Sequence, residues 1–296
     1  MSRIPVFATL ALFFAVALLS CNDNDDNNTP AESLVRIQTE TDFYDGALEE
    51  HALYRFDTYG RIIEVSSIYG YDEEYSEAQF IYNDSVVLGY EFYAGEDTAF
   101  TEIHYLNNRG LVDSTLFRYG ADANANAIIR YNYNNEGYLI WREFKSEHFA
   151  MYFEDSYVVE NGNITRQISH AEFGVPDVGA LLAARLSKPL HLNYMEARRM
   201  QRRLENRREQ IREQHIYRDT IFFEYLSKPN TLSDHNRGFV WMGKPNKNLV
   251  ARDIVQNGAD SDIYLYEYEF DGKGRVSKKY DPDVENPWVS HFTYTD

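Results

Sequence analysis

Cysteine is nearly absent: Cys21 is the single one in 296 residues. One thiol excludes a disulfide framework and any cysteine-rich zinc site. Positive charge is also scarce, with 29 Lys and Arg against 47 Asp and Glu and a formal net charge of -18. That balance excludes a general nucleic-acid binder, whose phosphate contacts need clustered cations. Long hydrophobic runs are missing too. Val6 to Leu19 is an apolar run of 14 residues, short of the roughly 20 that a membrane-spanning helix needs.

Catalytic signatures are missing as well. There is no Gly-x-Ser-x-Gly and no His-Glu-x-x-His, and the histidines at 51, 104, 148, 170, 191, 215, 235 and 291 show no metal-ligand spacing. The stretch Gly238 to Lys244 imitates a phosphate-binding loop but continues with Pro245, where a magnesium-binding hydroxyl belongs. His170 and Glu172 have the spacing of a zinc deaminase without its Pro-Cys-x-x-Cys partner. No cofactor and no metal are expected. Paired carboxylates of the glycosidase kind stay open, because the fold and not the sequence spacing sets such a pair.

What is present begins with an address. Arg3 precedes the apolar run, which ends in Leu18, Leu19, Ser20 and Cys21. The length suits a signal-peptide core. The ending resembles the lipobox of bacterial lipoproteins, with Leu19 a little bulkier than usual, which implies lipidation of Cys21 and removal of residues 1–20. Residues 21–33 are polar, with Asp23, Asp25 and Asp26 close behind the cysteine, and read as a flexible tether. An EF-hand loop is excluded there, since Asn28 and Leu34 replace its Gly and Glu. The acidic patch resembles the surface-export signal of Bacteroidota lipoproteins. The expected place is the outer membrane, lipid-anchored and facing outward, or else on the periplasmic face.

Hydrophobic residues make up 44% of the chain, with 24 Tyr and 18 Phe, enough for a sizeable core. A turn motif recurs through it: Tyr54, Phe56, Asp57, Gly60, Ile62; then Tyr131, Tyr133, Asn134, Gly137, Leu139; then Tyr268, Phe270, Asp271, Gly274, Val276. Asn107, Gly110 and Val112 form a looser copy, and two versions without Gly are centred on Asn83 and Glu154. From Asp57 through Asn83, Asn107 and Asn134 to Glu154 the intervals are 26, 24, 27 and 20 residues, a repeat architecture. Each copy predicts a β-hairpin, in which Asp or Asn opens the turn and the left-handed Gly (60, 110, 137, 274) closes it. Tyr264, Tyr266, Tyr268 and Phe270 fall on one strand face. That stripe is either a stacking platform for sugars or, as expected, the buried face of a sheet.

The repeat resembles the tyrosine–aspartate (YD, Rhs-type) hairpin repeats of secreted bacterial shells. The order of these pieces over residues 34–296 is also similar to a Bacteroidota cell-envelope lipoprotein family of unknown function. That resemblance rests further on Gly110-Leu111, on Gly162 to Ile164, and on Gly243 to Leu249. It implies an antiparallel, mainly β domain of consecutive hairpins and brings no catalytic residues.

Between residues 175 and 218 the alternation stops, which predicts a helical insertion. Asn193 and Glu196 fit an N-cap and its capping-box partner, and Met200, Leu204 and Ile211 keep helical spacing. The opposite face carries Arg198, Arg199, Arg202, Arg203, Arg207, Arg208 and Arg212. Ten Lys and Arg against four Glu give residues 185–218 a net charge of +6. This face packs on the acidic body, or touches anionic lipid, or meets a partner. The expectation is a non-catalytic, membrane-tethered protein that binds a glycan or protein, or plays a structural part. The alternative is an envelope hydrolase acting on glycan through paired carboxylates and an aromatic floor.

Overall fold

In the computed structural model the described residues are 35–70, 74–93, 100–119, 122–146, 151–173, 216–258, 260–281 and 287–295. The expected signal peptide, the expected tether with Cys21, and the arginines from 198 to 212 lie outside them. Seventeen strands follow in chain order: β1 (Ile37–Tyr44), β2 (Ala47–Phe56), β3 (Ile62–Tyr69), β4 (Glu74–Asn83), β5 (Val86–Tyr93), β6 (Phe100–Leu106), β7 (Val112–Tyr119), β8 (Asp122–Tyr133), β9 (Leu139–Ser146), β10 (Met151–Glu160), β11 (Asn163–Phe173), β12 (Ile216–Pro229), β13 (Asn248–Asn257), β14 (Asp260–Leu265), β15 (Glu267–Phe270), β16 (Val276–Tyr280) and β17 (Trp288–Tyr294). Ile216 to Arg218, expected in the helical insertion, already belong to β12; they pair with β11 from Glu172 to His170, which fixes their backbone as strand.

Consecutive strands pair antiparallel from β1 to β14 and from β15 to β17. Only Tyr266 separates β14, which pairs with β13, from β15, which pairs with β16. β17 then pairs with β1 from Tyr294–Ile37 to Trp288–Tyr44. The sheet thereby curls round on itself as a barrel, and closure removes the unpaired edges that invite aggregation.

Four of the turns are copies of one device. The carboxylate oxygen Oδ1 of Asp57 accepts the backbone N–H groups of Tyr59 and Arg61, both at 2.9 Å. Asn107 accepts from Arg109 and Leu111, Asn134 from Tyr138, and Asp271 from Lys273 and Arg275. In each, the Gly N–H returns to the first residue's carbonyl at 3.0 Å. Gly60, Gly110, Gly137 and Gly274 stand at φ of 72°, 70°, 96° and 80°, where a Cβ would strain the backbone. Two further hairpins, Asp45-Gly46 and Asn161-Gly162, have positive φ at both residues, the tight two-residue turn that suits strand twist.

One expected turn is corrected. Glu154 and its neighbours run straight through β10, and the reversal comes at Asn161-Gly162. Asp155 faces inward there and is held by Arg142 rather than by its own backbone. With Asn161 as the turn, the intervals from Asn107 through Asn134 are both 27 residues.

Connections alternate between the two ends, as a meander requires. One end gathers the turns at 57–61, 84–85, 107–111, 134–138, 161–162 and 271–275, along with the start of β1 and the finish of β17. The link from β12 to β13, residues 230–247, crosses this same end. It contains a short 3-10 helix, Asp234–Arg237, capped by Ser233 and ended by left-handed Gly238. Its backbone is fastened to successive hairpins: Ile62 N–H to Gly238 O (3.2 Å), Val112 N–H to Trp241 O (2.9 Å), Lys244 N–H to Gly137 O (2.8 Å), Lys247 N–H to Gly162 O (2.9 Å). Phe239 and Trp241 drop into the main core with Phe80, Val87, Phe117, Ile129 and Phe144. The imitation phosphate loop is therefore a plug. A second core joins Ile37, Leu249, Val276, Phe292 and Tyr294.

Candidate functional site

Alternation sorts every strand into an inner and an outer face. On β8, Ile129 and Tyr131 are buried while Arg130 is exposed; on β6, Glu102 and His104 are buried while Tyr105 is exposed. The inner face is a mixture of apolar and charged side chains, and its charges occur in bonded groups, as desolvated ions must.

The first group joins the plug to the wall. Arg237 donates through Nε to Glu40 Oε2 at 2.9 Å and through Nη2 to Oε1 at 3.2 Å, and its Nη1 reaches Leu232 O at 2.6 Å. Tyr54 donates to Glu40 at 3.1 Å. Two residues along β1, Asp42 stands opposite Glu50 and Ser290. Burial, with Glu40 close by, raises the Asp42 carboxyl well above the usual range.

A second group lies on β6 to β8: the His104 ring meets Glu102 at 3.0 Å and Thr115 at 2.9 Å. Burial pushes the Tyr131 hydroxyl, next to Thr115, up to about 12. The third is Asp155, which accepts from Arg142 Nε (2.6 Å), Ser169 (2.6 Å) and Gln167 (2.9 Å). Burial alone would raise its carboxyl, but Arg142 and these donors outweigh it and hold the carboxyl below its ordinary value.

Glu40 and Asp42 are convergent carboxylates in unlike environments, the arrangement an acid–base pair uses. Their exposure decides against that use: 4% and 2%, with Glu102 and His104 at 0%. Protein covers both carboxylates. Among the described residues no set of three His, Cys, Asp or Glu could hold a metal ion. His170 and Glu172 point outward from β11 and meet at 3.0 Å, and Arg218 Nε donates to His170 Nδ1 at 3.3 Å. The tyrosine stripe faces inward: Tyr266 is buried and bonds Asp253, and Tyr268 bonds Val250 O at 2.7 Å. Phe270 is more open, because the ladder bulges between it and Glu269.

The outer face carries ion pairs between neighbouring strands. Arg130 meets Glu143 at 2.8 Å, Arg252 meets Glu224 at 2.7 Å, and Lys278 meets Glu269 at 3.1 Å. Arg55 and Glu64 form another at 2.9 Å. Trp141 and Tyr152 both donate to Glu154, at 2.8 Å.

This architecture has solved counterparts. A porin-like protein from Bacteroides uniformis superposes with a TM-score of 0.52 at 10% identity, over 88% of this chain and 96% of the other. A porin-like protein from Bacteroides vulgatus gives 0.54 at 10% identity, over 88% and 99%. The fold is shared. At that identity the likeness extends to the fold alone. No family profile and no curated protein matches the sequence.

Sequence reasoning missed the inner charge groups. Glu40, Asp42, Glu102 and Asp155 look like ordinary surface acids, and only the closure of the sheet turns their faces inward. The plug had a signal, the dense Gly, Trp, Phe and Asn content of residues 236–248, which reads as a loop until its neighbours are known.

Proposed function

We propose that the chain is a non-catalytic outer-membrane protein of the bacterial envelope, tethered by lipid on Cys21, whose barrel stands in water beside the membrane. The single observation that carries this reading is the outer face. A barrel that spans a bilayer presents an apolar band to lipid, and an Arg or Lys at mid-depth there costs about 2–4 kcal/mol. Arg252 and Lys278 lie at the middle of β13 and β16, and Arg130 is the ninth of twelve residues in β8. The two central cations alone would cost roughly 4–8 kcal/mol before their acidic partners are counted, a large part of the stability of a folded domain. Ion pairs of this kind are at home in water.

The plug supports the same reading. A segment bonded to four hairpins and packed through Phe239 and Trp241 closes one end of the lumen, which suits a binding or structural module better than a channel. The partner class this proposal assigns is a glycan or a protein of the cell surface, met at the outward end or through the arginines at 198, 199, 202, 203, 207, 208 and 212. A glycan hydrolase fits less well, since the convergent carboxylates are enclosed.

Metabolic labelling with an alkynyl fatty acid tests the anchor. The wild-type chain should take up label and Cys21→Ala should not; equal labelling of the two would overturn the tether.

A further inference from the structure

Charge interrupts most of the outer rows, but one row is apolar across five strands. Ile81 on β4, Leu88 on β5, Ile103 on β6, Leu116 on β7 and Ile128 on β8 stand directly opposite one another. The row ends at Lys145 on β9. Ile81 is 46% exposed, and the other four are half-buried. Val86 and Tyr105, a cross-strand pair on the adjacent row, extend the patch toward the plugged end, and Tyr90 extends it the other way. Cross-strand aliphatic neighbours with no covering layer among the described residues leave apolar surface in water, and a contiguous patch of that kind marks a contact site.

We infer that this flank rests on a phospholipid leaflet, with the row of Ile81, Leu88, Ile103, Leu116 and Ile128 seated at the boundary between headgroups and acyl chains. This rests on the reading that the barrel is held beside a membrane. Two observations choose lipid over a second copy of the chain. Five strands about 4.8 Å apart make a strip about 19 Å wide and little more than one row deep, since the rows to either side carry Arg130 and Arg118. A stable protein interface needs about 800 Å² on each partner, and two convex barrels would share less than the whole strip. A leaflet needs no such area and deforms to the curve. Tyr90 and Tyr105 at the margins present apolar rings with polar tips, the side chains favoured at that boundary.

Reach is the second observation. The chain enters the barrel at Arg36, on the plugged end, and 15 residues separate that point from Cys21. Fully extended, that length covers about 50 Å, whereas strands of eight to ten residues are about 26–34 Å long. An anchored barrel can therefore lie on its side. The patch begins close to the same end, Ile81 being three residues before the turn at Asp84.

Flotation with vesicles of neutral phosphatidylcholine tests the inference. Residues 34–296 suffice, because every strand pairing and both cores lie within them. High salt screens any contribution of the basic segment. The wild-type barrel should float. Ile103→Glu with Leu116→Glu should lower the bound fraction at least tenfold, while Ile254→Glu with Ile263→Glu, an outer pair on β13 and β14, should leave it unchanged. Ile81→Glu, at an exposed position, should weaken binding in the same direction and covers the case in which the double variant does not fold. A wild-type barrel that stays at the bottom, or equal loss on both flanks, overturns the inference. So does a dimer in sedimentation that the row variants abolish, since the occupant would then be a second copy. Failure here leaves fatty-acid labelling of Cys21 untouched, so the two readings fail separately.

Discussion

Arg237→Met removes the cation that ties the plug to the wall. Arg237 is 2% exposed, and its three hydrogen bonds go to Glu40 and to Leu232 O. Met keeps most of the volume, so the cavity contribution is small. What is left is Glu40, 4% exposed, with the Tyr54 hydroxyl at 3.1 Å and Asp42 nearby. Breaking a buried pair from one side costs about 3–5 kcal/mol, because one charge stays buried without its partner. For a barrel of this size that lowers Tm by roughly 6–20 °C. Adding Glu40→Gln removes the orphaned charge, so the double variant should recover part of the loss. Thermal unfolding followed by near-ultraviolet circular dichroism is the assay, since Trp241 sits on the plug against Phe80, Tyr82 and Phe239. A loss below about 1 kcal/mol, or a double variant weaker than the single by the full cost of Glu40→Gln, would show that the pair does not hold the plug.

Other outcomes follow from the same structure. Gly274→Val meets no atom within 4 Å but keeps φ at 80°, so backbone strain alone should cost about 1–3 kcal/mol in a denaturant melt. Gly243→Val should cost more, because its Cβ would also run into the Tyr133 ring. Burial and Glu40 raise the Asp42 carboxyl above its value in the unfolded chain, which is near 4, so stability should fall as pH rises from that point toward the raised folded value, by up to about 1.4 kcal/mol per unit. Asp42→Asn should therefore be more stable than wild type at pH 8, with the gap closing toward pH 4. Asp155 has the opposite sign: its contribution is present above about pH 4 and lost as pH falls through its depressed folded value, and Asp155→Asn should flatten the acid limb of the stability profile.

The hairpins were legible because their chemistry is local. An Asp or Asn that accepts two backbone N–H groups, with a left-handed Gly three residues later, is written within five residues, as at Asp57 and Gly60. Where the turn is shorter the pattern misled: Asp155-Ser156 resembles a turn opening, but the reversal uses Asn161-Gly162, six residues on. Closure was not legible. Nothing between Ile37 and Tyr44 states that β1 pairs with β17, more than 240 residues away, and without that pairing the faces of Glu40 and Asp42 have no assigned side. The plug was legible only as a loop for the same reason, since its bonds go to four hairpins spread over Ile62 to Gly162. A tyrosine stripe that alternates with Glu267 and Glu269 did announce its burial, because period-two alternation carries that meaning in any sheet.

Folding without detergent tests the central claim most directly. Residues 34–296, made without the N-terminal segment and purified in aqueous buffer, should sediment as a soluble species with β-type circular dichroism and a cooperative melt. A chain that aggregates in buffer and gains this structure only in detergent or lipid would contradict it, and would place the ion pairs of Arg130, Arg252 and Lys278 inside a bilayer after all.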